Sequence, residues 1–263
     1  MKKLLLFAVI AIMVLAFVAC SSDDDERPVL IMGTSADFPP FQFVADAGQG
    51  VIGQYAGIDL SLVATIADEL GFDVVVQDME FDGLLIALQT GSLDFVASGM
   101  TIRPDRAASV NFSVPYFDAV QYVIVNANNT TINSVADLQG MRVGVQLGTT
   151  ADLSLTDNHS DGTVVFQDIL RFSRPVAGVM DLMGGSIDAF VIDAPVARGF
   201  AAQHPDRLRV FSDTNFFGLE QFGIAFNQNN TELLAQFNSV LSRLVSEGYV
   251  DNLYVYYTGI LEN

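Results

Sequence analysis

The strongest constraint on the fold is an alternation that runs through the chain twice. Between Pro28 and Gly99, short apolar runs ("PVLIMG", "FDVVVQ", "LDFVASG") are separated by segments of helical period ("IDLSLVATIADELG", "FDGLLIALQTG"). In the first of those helices Leu62, Val63, Ile66, Ala67 and Leu70 share one face, and Gly71 follows as a stop. A strand–helix–strand–helix–strand order predicts an α/β layer with a largely parallel sheet, because each helix buries its apolar stripe on a sheet face. Glycines at 48, 50 and 53 mark turns, so Phe41 to Gly57 reads as a hairpin.

A second set begins after Asn126. "TINSVADLQG" reads as a short helix, "MRVGVQ" as a strand, "GTTADLSL" as the opening of a helix and "GTVVFQ" as a strand. "FSRPVAGVMDLMGG" reads as a helix starting near Pro175, "SIDAFVID" as a strand, "APVARGFAAQHP" as a helix and "RLRVFS" as a strand. The tail returns with a strand at "EQFGIAFNQ", the long amphipathic helix "NTELLAQFNSVLSRLVSEG" and then "YVDNLYVYYTG". Two such sets predict two lobes, each a mixed sheet flanked by helices. "SVPYFDAVQYVIV" and "FGLEQFGIAF" are then extended crossings, and extended connections flex by small backbone rotations to give hinge closure.

Charge narrows the partners. Both lysines are Lys2 and Lys3, and after Ala19 there are ten arginines against 31 acids, 10 − 31 = −21. Such a surface repels nucleic acid and anionic membranes, which are bound through basic patches. Residues 1–19 read as a signal peptide: a basic start, an uncharged apolar run from Leu4 to Val18, and the small residue Ala19. That run is shorter than the roughly 20 residues a spanning helix needs. Cys20 is the only cysteine, so no intramolecular disulfide forms; its place after "FVA" resembles a lipoprotein lipobox, with Phe17 departing from the usual leucine. Lipidation of Cys20 is the expectation, with ordinary secretion as the alternative, and residues 20–27 read as an acidic tether.

Three strand ends carry polar residues, and in open α/β sheets ligands sit beyond the carboxyl ends of strands. In "SGMTIRPDR", Gly99 allows close backbone approach, Thr101 offers a hydroxyl and an N–H, and Arg106 presents a fork of donors that matches a carboxylate. The alternative there is a surface helix start with Arg106 paired to Asp105 or another acid. In "VGVQLGTTADL", Thr149 and Thr150 open a helix, as an anion cradle or simply as an N-cap. In "IDAFVIDAPVA", Asp193 ends a strand, to bind an ammonium or to cap the helix. Taken together, an arginine with N–H groups and an aspartate match the headgroup of a free amino acid. Phe38 and Phe81 are candidates to sandwich its side chain, with core packing as their other reading.

Several motifs occur in order: "GTSADFPPFQF", "GIDLSLVATIADELG", "FDGLLIALQTGSLDFVASGMTIRPDR", "VNFSVPYF", "VGVQLGTT", "SIDAFVIDAPVA" and "QFGIAF". Spanning nearly everything from Val29 onward, the combination resembles the family 3 extracellular solute-binding proteins, the polar amino acid receptors of ABC importers. The resemblance implies a two-lobed, type II periplasmic-binding fold. Residues 28–116 and 222–263 would form lobe 1 and residues 117–221 lobe 2, with hinge segments near 116–120 and 218–222. It implies that Arg106, with Thr101 and Thr149 or Thr150, holds an α-carboxylate, and that Asp193, with Gly99 and Ser98, holds the α-amino group. Phe38 and Phe81 fall on the positions that flank the side chain. The implied partners are a free L-amino acid and a membrane permease, for a monomer anchored by lipid alone and using no cofactor or metal. Ser35 departs from the family, standing where several members carry an acid that binds a polar or cationic side chain; Asp37, Glu80 and Gln146 are the candidates to compensate. "YVYYTG" replaces the usual C-terminal tryptophan.

Two rival readings remain at the level of sequence. Some relatives of this fold resemble cyclohexadienyl dehydratases, which need a positioned acid such as Asp37 or Glu80. Neither His159 nor His204 belongs to a recognisable nucleophile or metal arrangement. A ligand-sensing module is the other rival, and it would call for an output domain after Asn263.

Overall fold

A computed structural model describes residues 27–261. The signal segment, Cys20 and the tether up to residue 26 lie outside the described residues. Arg27, the last residue of the expected tether, is docked: its guanidinium donates to the Ala67 and Asp68 carbonyls at 3.1 and 3.0 Å.

The first set folds as β1 (Val29–Thr34), β2 (Asp37–Phe38), β3 (Gln42–Val44), β4 (Tyr55–Ala56), α1 (Ile58–Leu70), β5 (Asp73–Asp78), α2 (Leu84–Gln89) and β6 (Phe95–Val96). Helix α1 buries Leu62, Val63, Ile66 and Ala67 and stops at Gly71. There φ is +77° and the following Phe72 N–H donates to the Ala67 carbonyl at 2.9 Å, a left-handed cap that a side chain would strain. A short helix, α3 (Pro104–Ala107), and β7 (Val110–Phe112) follow.

The chain then runs through β8 (Phe117–Ala119) into β9 (Gln121–Asn126), β10 (Arg142–Gln146), α4 (Thr150–Asp161), β11 (Asp168–Phe172), α5 (Pro175–Gly184), β12 (Ala189–Asp193), α6 (Ala194–Gln203) and β13 (Leu208–Ser212). It returns through β14 (Glu220–Phe222) to β15 (Ala225–Asn227), α7 (Thr231–Ser246) and α8 (Tyr249–Leu261).

Two five-stranded sheets result, ordered β5-β1-β6-β15-β7 and β11-β10-β12-β9-β13. Each is mixed. Strand β1 pairs parallel with β5 and β6, while β15 runs antiparallel between β6 and β7. Strand β10 pairs parallel with β11 and β12, while β9 runs antiparallel between β12 and β13. The two connecting segments pair with each other, β14 antiparallel to β8, Phe222 opposite Phe117 and Glu220 opposite Ala119. Phe117 and Phe222 lie 5.8 Å apart, and both pack on the fully buried Phe41.

Three sequence readings shift. "GTVVFQ" is not a strand: Val164 and Phe166 are buried among the residues of a hydrophobic cluster, and the strand begins at Asp168. The run is the loop that brings the chain from Gly162, after α4, to the sheet edge, pinned by the buried Val164 and Phe166 while Val165 faces outward. "TINSVADLQG" shortens to one 3-10 turn, Ala136–Leu138. "EQFGIAFNQ" splits in two, so its first half joins β8 and its second half the first sheet. The C-terminal "YVYYTG" is helical. Tyr257 is buried, its hydroxyl 2.7 Å from Ser61 Oγ, while Tyr249 reaches Thr65 at 2.8 Å, so α8 is tied to α1.

Candidate functional site

The carboxyl ends of β6, β10 and β12 converge between the sheets, and a small cavity opens there. Its walls are Phe38, Phe81, Gly99, Thr101, Arg106, Gln146, Thr149, Thr150 and Asp193. Of the nine residues expected to hold the headgroup and flank the side chain, only Ser98 is missing from this wall. Its buried hydroxyl is turned to the Ser35 N–H at 3.0 Å and the Gln42 amide at 3.1 Å.

Arg106 is 5% exposed. Nη1 donates to the Thr101 carbonyl at 2.9 Å, and Nη2 crosses to the Gly148 carbonyl at 3.0 Å. Its guanidinium carbon lies 5.5 Å from the centre of the Phe81 ring. Asp105, the alternative partner, is taken by Arg103 at 2.9 Å, and among the described residues no carboxylate lies within 4.0 Å of Arg106. Burial is the main cause that lowers its pKa to about 10, which leaves it charged at neutral pH. A buried guanidinium bonded only to carbonyls is a strong site for an external carboxylate.

The second wall comes from the other sheet. Thr149 is the N-cap of α4, its hydroxyl accepting from the Asp152 N–H at 3.4 Å and donating to the Gln146 carbonyl at 2.8 Å. The N-cap reading therefore describes the Thr149 side chain. The adjacent Thr150 hydroxyl is buried and makes no hydrogen bond.

Asp193 ends β12 at 6% exposure and makes no side-chain capping bond to α6. Its carboxylate accepts from the Gln121 amide at 2.9 Å. The same amide reaches Glu220 at 3.1 Å, and Glu220 also accepts from the Thr101 hydroxyl at 3.2 Å. Burial, then the Glu220 charge, raises the Asp193 pKa to about 8. Burial also raises that of Glu220. No ion pair joins Asp193 to Arg106 within 4.0 Å.

Gly99 holds φ at +54°, and a Cβ there would stand 3.0 Å from Phe38. Its N–H is committed to Asp59 at 2.7 Å, and Tyr116 donates to the same carboxylate at 2.8 Å. Asp59 is fully buried in α1, which raises its pKa to about 7. Asp59, Gln121 and Glu220 escaped the sequence reading. The one usable signal was a polar residue inside an apolar run: Asp59 opens an apolar helix, and Gln121 interrupts "FDAVQYVIV".

At the rim, Ser35 is buried and its hydroxyl donates to Asp37 at 2.9 Å. Arg174, at the start of α5, stands 3.5 Å from both Asp37 and Asp78. Of the candidates to replace an acid at Ser35, Gln146 lines the cavity, Asp37 is engaged by Arg174, and Glu80 is exposed. His159 accepts from the Phe166 N–H at 3.1 Å and stacks on that ring.

Two α/β lobes with a polar cleft between facing strand ends define a periplasmic-type solute-binding protein of the type II fold. The chain belongs to the bacterial extracellular solute-binding proteins, family 3, whose family model matches residues 30–260. It is 32% identical to the arginine-binding extracellular protein ArtP of Bacillus subtilis, over 96% of each chain. It is 30% identical to a probable histidine-binding protein of Campylobacter jejuni, over 96% of this chain and 97% of that one. An ancestral arginine-binding protein bound to arginine superposes with a TM-score of 0.79 at 37% identity, covering 88% of this chain and 98% of that one. An ancestral arginine-binding protein bound to glutamine gives 0.78 at 37% identity, with the same coverage. These relatives are named as binding proteins. Among the described residues no helix is long and apolar enough to cross a membrane.

Proposed function

We propose that the protein is an extracytoplasmic receptor for a free L-amino acid, delivering it to the permease of an ABC importer. Arg106, with Thr101 and Thr150, takes the α-carboxylate; Asp193, with the Gly99 backbone, takes the α-ammonium; Phe38 and Phe81 flank the side chain. The observation that carries this reading is a buried guanidinium without a carboxylate partner, on the same small cavity as a buried aspartate. The names of the relatives agree with the ligand class.

The strands β8 and β14 act as the hinge between lobes divided as the sequence suggests. They are the only connections between the five-stranded sheets among the described residues, and their pairing leaves few backbone angles to change. A ligand held by Arg106 on one side and Asp193 on the other contacts both lobes only when they are closed. Its differential affinity then shifts the population towards the closed form that docks on the permease. Lipidation of Cys20 keeps this monomeric receptor at the membrane surface.

Thermal melting against each of the twenty amino acids tests the reading. A ligand at about a hundred times its Kd adds about 2.7 kcal/mol to stability, a rise of several degrees. If none of the twenty moves the transition at millimolar concentration, the amino acid assignment is wrong.

A further inference from the structure

The carboxylates around the cavity differ in what they have left to offer a ligand. Asp59 is held by the Gly99 N–H and the Tyr116 hydroxyl at 2.7 and 2.8 Å. Glu220 is held by Gln121 and Thr101 at 3.1 and 3.2 Å. Asp193 serves the ammonium pole in the reading above. Glu80 and Asp82, beside Phe81, are exposed. That leaves Asp37 and Asp78, the pair next to Phe38 and Ser35, each holding one hydrogen bond from the segment after β1: the Ser35 hydroxyl donates to Asp37 and the Ala36 N–H to Asp78, both at 2.9 Å.

This pair is matched from the opposite lobe. Arg174 Nη1 lies 3.5 Å from Asp37 Oδ2 and 3.5 Å from Asp78 Oδ1. The site of this contact adjoins the ligand cavity on both sides. Phe38, which lines the cavity, follows Asp37 in sequence, and Gln146, which also lines it, donates its amide to the carbonyl of Ser173 at 3.2 Å. The three side chains are half-buried at 34%, 17% and 26% exposure, and Asp37 Oδ2 makes no hydrogen bond, so charge is what ties the arginine to it. Closing the lobes therefore brings a fixed cation to the very acids a cationic ligand side chain would need.

We propose that Arg174 sets the ligand's charge class: it occupies Asp37 and Asp78 in the closed form, so the site selects an amino acid with an uncharged polar side chain, such as a carboxamide, over one with a cationic side chain. The inference rests on the amino acid reading and goes beyond it. A second cation placed a few ångströms from Arg174 is repelled, and at this half-buried end of the cavity both acids are already matched by the arginine, so nothing offsets its lost hydration. A carboxamide meets no such repulsion, and Gln146 offers it a neutral hydrogen-bonding partner.

Isothermal titration of the protein with L-glutamine and with L-arginine tests this directly. The wild type binds glutamine more tightly. Arg174→Met shifts the ratio of the two affinities towards arginine by about tenfold or more, while Arg174→Lys, which keeps the cation, leaves the ratio near the wild-type value. Adding Asp37→Asn to the methionine variant takes most of the gain away. A wild type that binds arginine as tightly as glutamine overturns the proposal, whether or not the variants fold. So does a folded Arg174→Met protein with an unchanged ratio. Either result leaves the amino acid reading standing; only a wild type that binds no amino acid at all removes both.

Discussion

The two poles of the cavity are built on opposite principles. At the Arg106 pole a single cation is buried among carbonyls, and every nearby acid is kept out of ion-pair distance or given another partner, as Asp105 is by Arg103. At the Asp193 pole two acids are crowded together, Asp193 and Glu220 sharing the amide of one buried glutamine. The first pole is marked by scarcity: its charge persists, and its two bonds, to the Thr101 and Gly148 carbonyls, leave that charge unneutralised. The second is ready through congestion: burial and the neighbouring acid push the Asp193 pKa to about 8, so much of it is protonated at neutral pH. On the proposed reading, the site is charged in advance at one end and charged by its ligand at the other.

The sharpest way to break this contrast is to remove the cation. Arg106→Ala should lower amino acid affinity by about a hundredfold or more, since the ligand carboxylate would be buried without its charged partner. The variant should still melt cooperatively, because the side chain's two bonds are both to backbone carbonyls. Unchanged affinity by titration calorimetry would remove Arg106 from the site.

Asp193→Asn probes the crowded end. Affinity should fall by about ten- to a hundredfold, because an amide oxygen replaces the carboxylate that faces the ammonium. The ligand-free protein should become more stable, not less, because a buried acid beside Glu220 is replaced by a neutral group. A lower melting temperature without ligand would show that Asp193 is matched by protein groups after all.

The remaining test is with pH. A carboxyl whose folded pKa is raised stabilises the fold most below its unfolded pKa, near 3.8 for Asp, and that contribution is lost as pH rises through the folded value. For Asp193 that value is about 8 and for Asp59 about 7, so the ligand-free protein should lose stability between pH 4 and 8 through these two groups. Binding runs the other way. An ammonium needs Asp193 ionised, so affinity should rise from pH 6 to 8, and at pH 7 binding should release a proton. Titrations in buffers of different ionisation enthalpy measure that release; zero release would place Asp193 already ionised.

Much of the fold was legible because periodicity is local. The stripe of α1, its Gly71 stop, and the strands at Val29 and Arg142 follow from side-chain spacing and backbone preference alone. "GTVVFQ" was misread for the same reason: an apolar run of β-branched residues is buried, but whether in a sheet or beneath a loop depends on what lies across from it. Of the candidate ligand residues, Phe38 and Phe81 were found as flanking aromatics, Ser98 through the resemblance and the rest at strand ends, and eight of the nine line one cavity. The outlier, Ser98, is next to that wall in sequence, yet in the bend that follows β6 its side chain turns to Ser35 and Gln42.

What the sequence determined by itself is the set of elements and the chemistry at their ends: spacing fixes which face is apolar, and a scarce arginine or a strand-end aspartate is visible one residue at a time. What only the tertiary structure decided is which charges are free. Asp105, Asp37 and Asp193 are the same residue type in a string of letters, yet one is claimed by its neighbour Arg103, one by Arg174 from the other lobe, and one is pressed against Glu220. Electrostatic energy depends on distance in space and on burial, and both are set by how two sheets far apart along the chain come to face each other.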